Sequence, residues 1–119
     1  MSMDGAAADR VDPVKDLATR LRRLQVRAGG PSVRDLERLT SKLGTPFTRG
    51  TIQDKLTGRS AATWEFVEAF VRACALHAGV GEPDLRPWRA WHTQMVREVA
   101  AARAGRRRRA RWRFARTEA

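Results

Sequence analysis

The 119-residue chain has one cysteine, two histidines, no tyrosine and no long apolar run. Cys74 has no second thiol to pair with, so an internal disulfide is excluded. It lies among Phe70, Val71 and Ala75 on an apolar helical face and reads as a buried structural thiol, consistent with a reducing cytoplasm. His77 sits near a helix end and His92 beside Trp91, and neither has a set of partners around it in the sequence. HExxH, CxxC and a phosphate-cradling glycine loop are all missing. One cysteine and two distant histidines give no metal-ligand spacing. The expectation is a protein that is not an enzyme and takes neither a metal nor another cofactor. No segment approaches the roughly 20 apolar residues that span a bilayer, and the N-terminus lacks a hydrophobic segment of the signal-peptide kind. That points to the cytoplasm and away from a membrane. The missing tyrosine and the lack of sustained apolar/polar alternation leave strands without a signal.

What the chain does have is arginine. Lysine and arginine number 24 against 13 acidic residues, for a net charge of +11. The excess is uneven. Residues 105–119, GRRRRARWRFARTEA, hold seven arginines and one glutamate, or +6, and the rest of the chain carries +5. A body of mixed charge needs no partner beyond water. A tail this basic fits a polyanion, of which nucleic acid is the commonest.

With abundant Ala, Leu and Arg, the chain reads as all-α, a small bundle of about five helices with a basic C-terminal tail. Residues 1–11 are small, polar and Ala/Gly-rich, and are expected to be a disordered lead-in. Residues 12–104 form the domain. Asp12 and Pro13 open a first helix with Leu17, Leu21 and Leu24 as its apolar stripe and Arg20, Arg22, Arg23 and Arg27 on other faces. Thr63 caps a helix bearing Phe66, Val67, Phe70, Val71 and Cys74, expected to be the most buried element, with Trp64 either in the core or at its rim. From about Asp84 a long last helix repeats Trp88, Trp91, Met95, Val99 and Ala102 at spacings of three and four. The first half of that stripe would seal the core. The second half would protrude or pair with a second copy of the chain, making segment 88–102 a candidate homodimer surface.

Residues 32–58, SVRDLERLTSKLGTPFTRGTIQDKLTG, carry the most information. Ser32 and Asp35 have capping-box spacing, and Leu36, Leu39 and Leu43 give one apolar face. Gly44 and Pro46 end that helix. Thr48 caps a second, and Phe47 and Ile52 flank it at the spacing of a hydrophobic staple. Two short helices and a sharp turn fit either a helix-turn-helix or an ordinary helical hairpin.

The run from residue 17 to 91 resembles the helix-turn-helix domain of the Xre/Cro-repressor type, in the form common in actinobacterial proteins. Leu17, Leu21 and Leu24 carry the resemblance, with Ser32-Val33-Arg34-Asp35-Leu36, Thr48-Arg49-Gly50-Thr51-Ile52, Lys55-Leu56-Thr57-Gly58-Arg59, Trp64-Glu65-Phe66-Val67 and Phe70-Val71-Arg72-Ala73-Cys74. It implies sequence-specific binding of double-stranded DNA and transcriptional regulation. The segment between Leu36 and Ile52 is longer than the compact turn usual in the family.

Taking the recognition helix as Arg49–Thr57, Ile52 and Leu56 point inward. Gly50, Gln53, Asp54 and Thr57 face away, with Arg49 and Thr51 on the flanks. Gln53 can bond an adenine edge, and Arg49 a guanine or a phosphate. Gly50 admits a close backbone approach. Thr48 and Thr51 place hydroxyls and amides at a helix N-terminus, which favours a phosphate. Lys55 and Arg59 are candidate phosphate contacts, and Asp54 is repelled by DNA unless it accepts from a cytosine amino group. In the tail, Arg106, Arg107, Arg108, Arg109, Arg111 and Arg113 would neutralise phosphates, while Trp112 and Phe114 stack on bases or wedge into a groove. Like charges in a row repel, so the tail is expected to be disordered by itself; the alternative is that the last helix continues through it, with Trp112 and Phe114 docked on the body. Two other functions fit the same residues. One is a protein-interaction module whose tail meets an acidic partner, and the other is tail-driven binding to RNA or the nucleoid.

Overall fold

The computed structural model describes residues 12–118, and the side chains of residues 12–115; the expected lead-in, 1–11, lies outside them. The described residues form five helices: α1 Pro13–Arg27, α2 Val33–Lys42, α3 Arg49–Thr57, α4 Trp64–Ala78 and α5 Arg86–Glu118. No strand occurs among the described residues.

Local chemistry sets the helix starts. Asp12 accepts from the Val14 and Lys15 amides ahead of Pro13. Ser32 and Asp35 form a reciprocal capping box, each side chain accepting from the other's backbone N–H at 3.0 Å. Thr48 accepts from the Thr51 amide and Thr63 from the Phe66 amide. Asp84 accepts from the Arg86 amide at 3.0 Å and opens α5.

The core is centred on α4. Phe66, Val67, Phe70, Val71, Ala73 and Cys74 are all buried, and α4 packs against α1, α2 and α5. Burying each large apolar side chain contributes about 1.5–3 kcal/mol. α3 does not rest on α4 directly. It lies on α1 and α2, one layer further out, fixed by Ile52 and Leu56. Phe47, at the entry to α3, meets Phe66 edge-on at 5.2 Å between ring centres. Trp64 is rim rather than core: it is half-buried, with the Arg89 guanidinium over its ring at 4.6 Å and His92 beside it.

The long connection from α2 to α3 is ordered by Thr40, the one buried polar side chain among the described residues. Its hydroxyl donates to the Glu37 carbonyl and accepts from the Phe47 amide, and its carbonyl accepts from the Thr45 amide. A turn longer than usual is therefore pinned at both ends, with Gly44 in the left-handed region at φ 86°.

α5 runs antiparallel to α1. Arg20 stacks on Trp91 at 4.3 Å; Leu24 shares a cleft with Trp88, and Pro13 and Asp16 share another with Met95 and Glu98. Trp88 and Met95 are buried against the chain's own body, so neither is available to a second copy. The compositional break at residue 105 is not a break in the helix: α5 continues without interruption into the arginine-rich stretch. Repulsion alone argued for a coil there. Ala and Arg are both strong helix formers, and the packed first half of α5 supplies the nucleus an isolated peptide would lack. Trp112 and Phe114 are 67% and 68% exposed. None of the helices is long and apolar enough to cross a membrane.

Candidate nucleic-acid interface

α3 is short because it is closed at both ends. Thr48 caps its start, and Gly58 ends it in the left-handed conformation at φ 76°. A Cβ on Gly58 would come within 2.7 Å of Lys15 Cγ and 3.2 Å of Lys15 Cα, so glycine also lets α1 pass close by. Arg22 of α1 donates to the Leu56 carbonyl and to Thr19 Oγ1, tying the last turn of α3 to the scaffold. Arg20 and Arg22 are therefore both engaged by the body, through the Trp91 ring and the Leu56 carbonyl, although Arg22 is exposed, as are Arg23 and Arg27.

The outward side of α3 is open. Gly50 and Gln53 are exposed, and apart from Gly50's chain neighbours and its own turn of helix backbone nothing lies within 4 Å of where a Gly50 Cβ would stand. Thr57 is exposed, though its hydroxyl donates back to the Gln53 carbonyl at 2.9 Å. Ile52 and Leu56 face inward as the spacing predicts.

Several neighbouring charges are already partnered. Glu37 on α2 accepts from the Arg49 backbone amide at 3.2 Å and lies 3.5 Å from Arg49 Nε. It thus takes up part of the anion-binding capacity of the α3 N-terminus, as does Thr48, which accepts from the Thr51 amide and donates to the Thr51 hydroxyl. Asp54 pairs with Arg59 at 3.9 Å, so the carboxylate that would repel DNA is partly offset. Lys55 Nζ donates to Ser60 Oγ and the Ala61 carbonyl, at 3.1 and 3.0 Å, and holds the following loop. The α3 surface is consequently near neutral, with Gly50 and Gln53 as its uncommitted centre. Glu37 was missed from sequence because it lies 12 residues before Arg49 on another helix, and only the angle of the turn brings the two together.

The remaining arginines are on a different element. Arg106, Arg107, Arg108, Arg109, Arg111 and Arg113 are exposed on the second half of α5, and α5 packs on α1 and α4 but not on α3. The candidate residues therefore form two groups, one around α3 and one along α5. Elsewhere, Cys74 is fully buried and free, and burial pushes its thiol up to about 12. No cluster of His, Cys, Asp or Glu able to hold a metal ion occurs among the described residues.

Neither the curated proteins nor the solved structures contain a match to this chain. A family model described as a helix-turn-helix domain matches residues 16–82, more than half of the chain and the whole of α1 to α4 except the first residues of α1. The order α1 to α4, the capped α3 lying outermost and this match together identify the chain as a member of the helix-turn-helix domain family.

Proposed function

We propose that this chain is a DNA-binding regulator of transcription, of the Xre/Cro-repressor kind, acting in the cytoplasm at the nucleoid and having no enzymatic role. In this reading α3 enters the major groove and reads bases through Gln53 and Arg49, with Thr48, Thr51, Lys55 and Arg59 along the flanking backbone. The arginines of α5 add affinity that does not depend on sequence. The observation that carries the proposal is the open outward surface of α3 at Gly50 and Gln53, on a helix held rigidly from behind by Ile52, Leu56 and Arg22.

Selection from a random duplex library, followed by titration of the selected site, tests it. Gln53→Ala and Arg49→Ala should each weaken binding to the selected site by about 1–3 kcal/mol and flatten the preference at one base position. Binding should fall steeply with salt, since log K drops by about 0.9 per phosphate neutralised. If no sequence is enriched and both variants bind as the parent does, the near-neutral α3 surface is better explained as a protein-docking face, and the chain as an adaptor.

A further inference from the structure

α5 changes character along one face. Trp88, Met95 and Val99 lie on the side that meets the body, and in the same helical phase the next positions outward are Ala102 and then Arg106, Arg109 and Arg113. Arg103 and Arg107 lie roughly a quarter-turn round from that line, and Arg108 and Arg111 roughly opposite it. Arginine thus surrounds the helix once it clears the body. Among the described residues, Arg103, Arg106, Arg107, Arg108, Arg109 and Arg111 have no carboxylate partner.

A flat anionic surface would meet only one side of such a shaft. A groove walled by phosphates meets most of it. An α-helix with its side chains is about 10–12 Å across, which the B-DNA major groove, about 12 Å wide, admits; the A-form RNA major groove is too narrow. Residues 103–113 cover about 15 Å of helix axis, along which a B-DNA duplex presents about nine phosphates, a density comparable to the arginines on the shaft. The position is also suitable. α5 leaves the body past the first turn of α1, where Gly58, at the end of α3, packs on Lys15.

We propose that the arginine shaft of α5 lies as a rigid helix in a major groove of the same DNA duplex that α3 reads, so that the chain grips two segments of one site. This rests on the DNA-binding reading above. It differs from a floating polycationic tail in one respect: helical continuity from the core into the shaft is required.

Footprinting of guanine N7, which lies in the major groove, on the selected duplex with the full chain provides the test. Three variants are compared: Ala104→Pro, which breaks the helix and keeps every charge; the set Arg106→Gln, Arg107→Gln, Arg108→Gln and Arg109→Gln, which keeps the helix; and Gln53→Ala. Thermal melting first establishes that each body is folded. The full chain should protect two separate guanine patches. Ala104→Pro should lose the outer patch and bind at least tenfold more weakly with a similar salt slope. The glutamine set should lose the same patch and lower the salt slope by about 3.6, at about 0.9 per phosphate. Gln53→Ala should lose base preference at the inner patch alone. If Ala104→Pro protects both patches as the parent does, or if duplex RNA binds as well as DNA, the rigid-groove proposal is overturned. A chain that shows the outer patch on every duplex and never an inner one would instead sink the recognition role of α3.

Discussion

Glu37 and Gly58 show how single residues fix the recognition helix before any ligand is present. Glu37 holds both the amide and the guanidinium of Arg49, which sets the start of α3. Gly58 sets its end. Replacing Gly58 with alanine would place a Cβ in the left-handed region, at about 1–2 kcal/mol, and against Lys15 as well. Urea unfolding should show a loss of about 1–3 kcal/mol for Gly58→Ala; an unchanged midpoint would mean that α1 and α3 are not in contact there. Cys74 gives a pH signature. Its thiol is raised by burial from 9.0 to about 12, so above pH 9 the unfolded chain releases a proton that the folded chain retains. The folded state then binds more protons than the unfolded one, and stability falls as pH rises from about 9 toward 12, at up to about 1.4 kcal/mol per pH unit from this group. Cys74→Ala should remove that part of the slope, so that its disadvantage relative to the parent shrinks between pH 8 and pH 10.5. Rapid reaction of the native thiol with a disulfide reagent at pH 8 would contradict this.

Among the elements, the capped starts were the most legible in sequence. Ser32, Thr48 and Thr63 each act within three residues of themselves, and so do the partners that satisfy them. Ser32→Ala should cost about 1 kcal/mol of unfolding free energy. It should also move Asp35. That carboxyl is held below its ordinary 3.8 mainly by the Ser32 backbone N–H and then by the Ser32 side chain, so its contribution to stability is present above 3.8 and lost as pH falls below it. Removing the hydroxyl leaves the larger cause in place. The Asp35 titration, followed by carboxyl-carbon NMR, should move upward toward 3.8 without reaching it. What sequence concealed was tertiary. The Glu37–Arg49 pair, the Lys55 bonds to the loop and the Arg22 bond to Leu56 depend on how helices meet, and no local pattern encodes them. Trp64, which the sequence left between core and rim, is a rim residue through the approach of Arg89 and His92, which is tertiary as well. On α5, by contrast, two local rules conflicted. Like-charge repulsion favoured a coil beyond Gly105, whereas helix propensity and a packed nucleus favoured continuation, and the structure follows the second.

At the scale of the whole molecule, an asymmetric charge distribution coincides with an asymmetric shape. A compact domain of this length has a radius of gyration of about 13.5 Å. The chain has one of 17.9 Å, with extents of 63 × 35 × 24 Å, because the second half of α5 stands away from the body. Core packing cannot hold that half in place, since the body-facing line beyond Ala102 is arginine. Its helix is sustained by the nucleus at Trp88 and Met95 and opposed by repulsion among its own guanidinium groups. Salt screens that repulsion over a few ångströms, so the shaft should become more helical, and no more compact, as ionic strength rises. Small-angle scattering of the free protein at several hundred millimolar salt should therefore give a radius of gyration close to 18 Å, while far-UV circular dichroism shows helicity unchanged or increased. A radius near 13–14 Å would mean that the shaft folds back on the body. A large radius with falling helicity would mean an extended coil. Either result removes the rigid arm on which two-site contact with one duplex depends, and leaves α3 as the sole fixed element for reaching DNA.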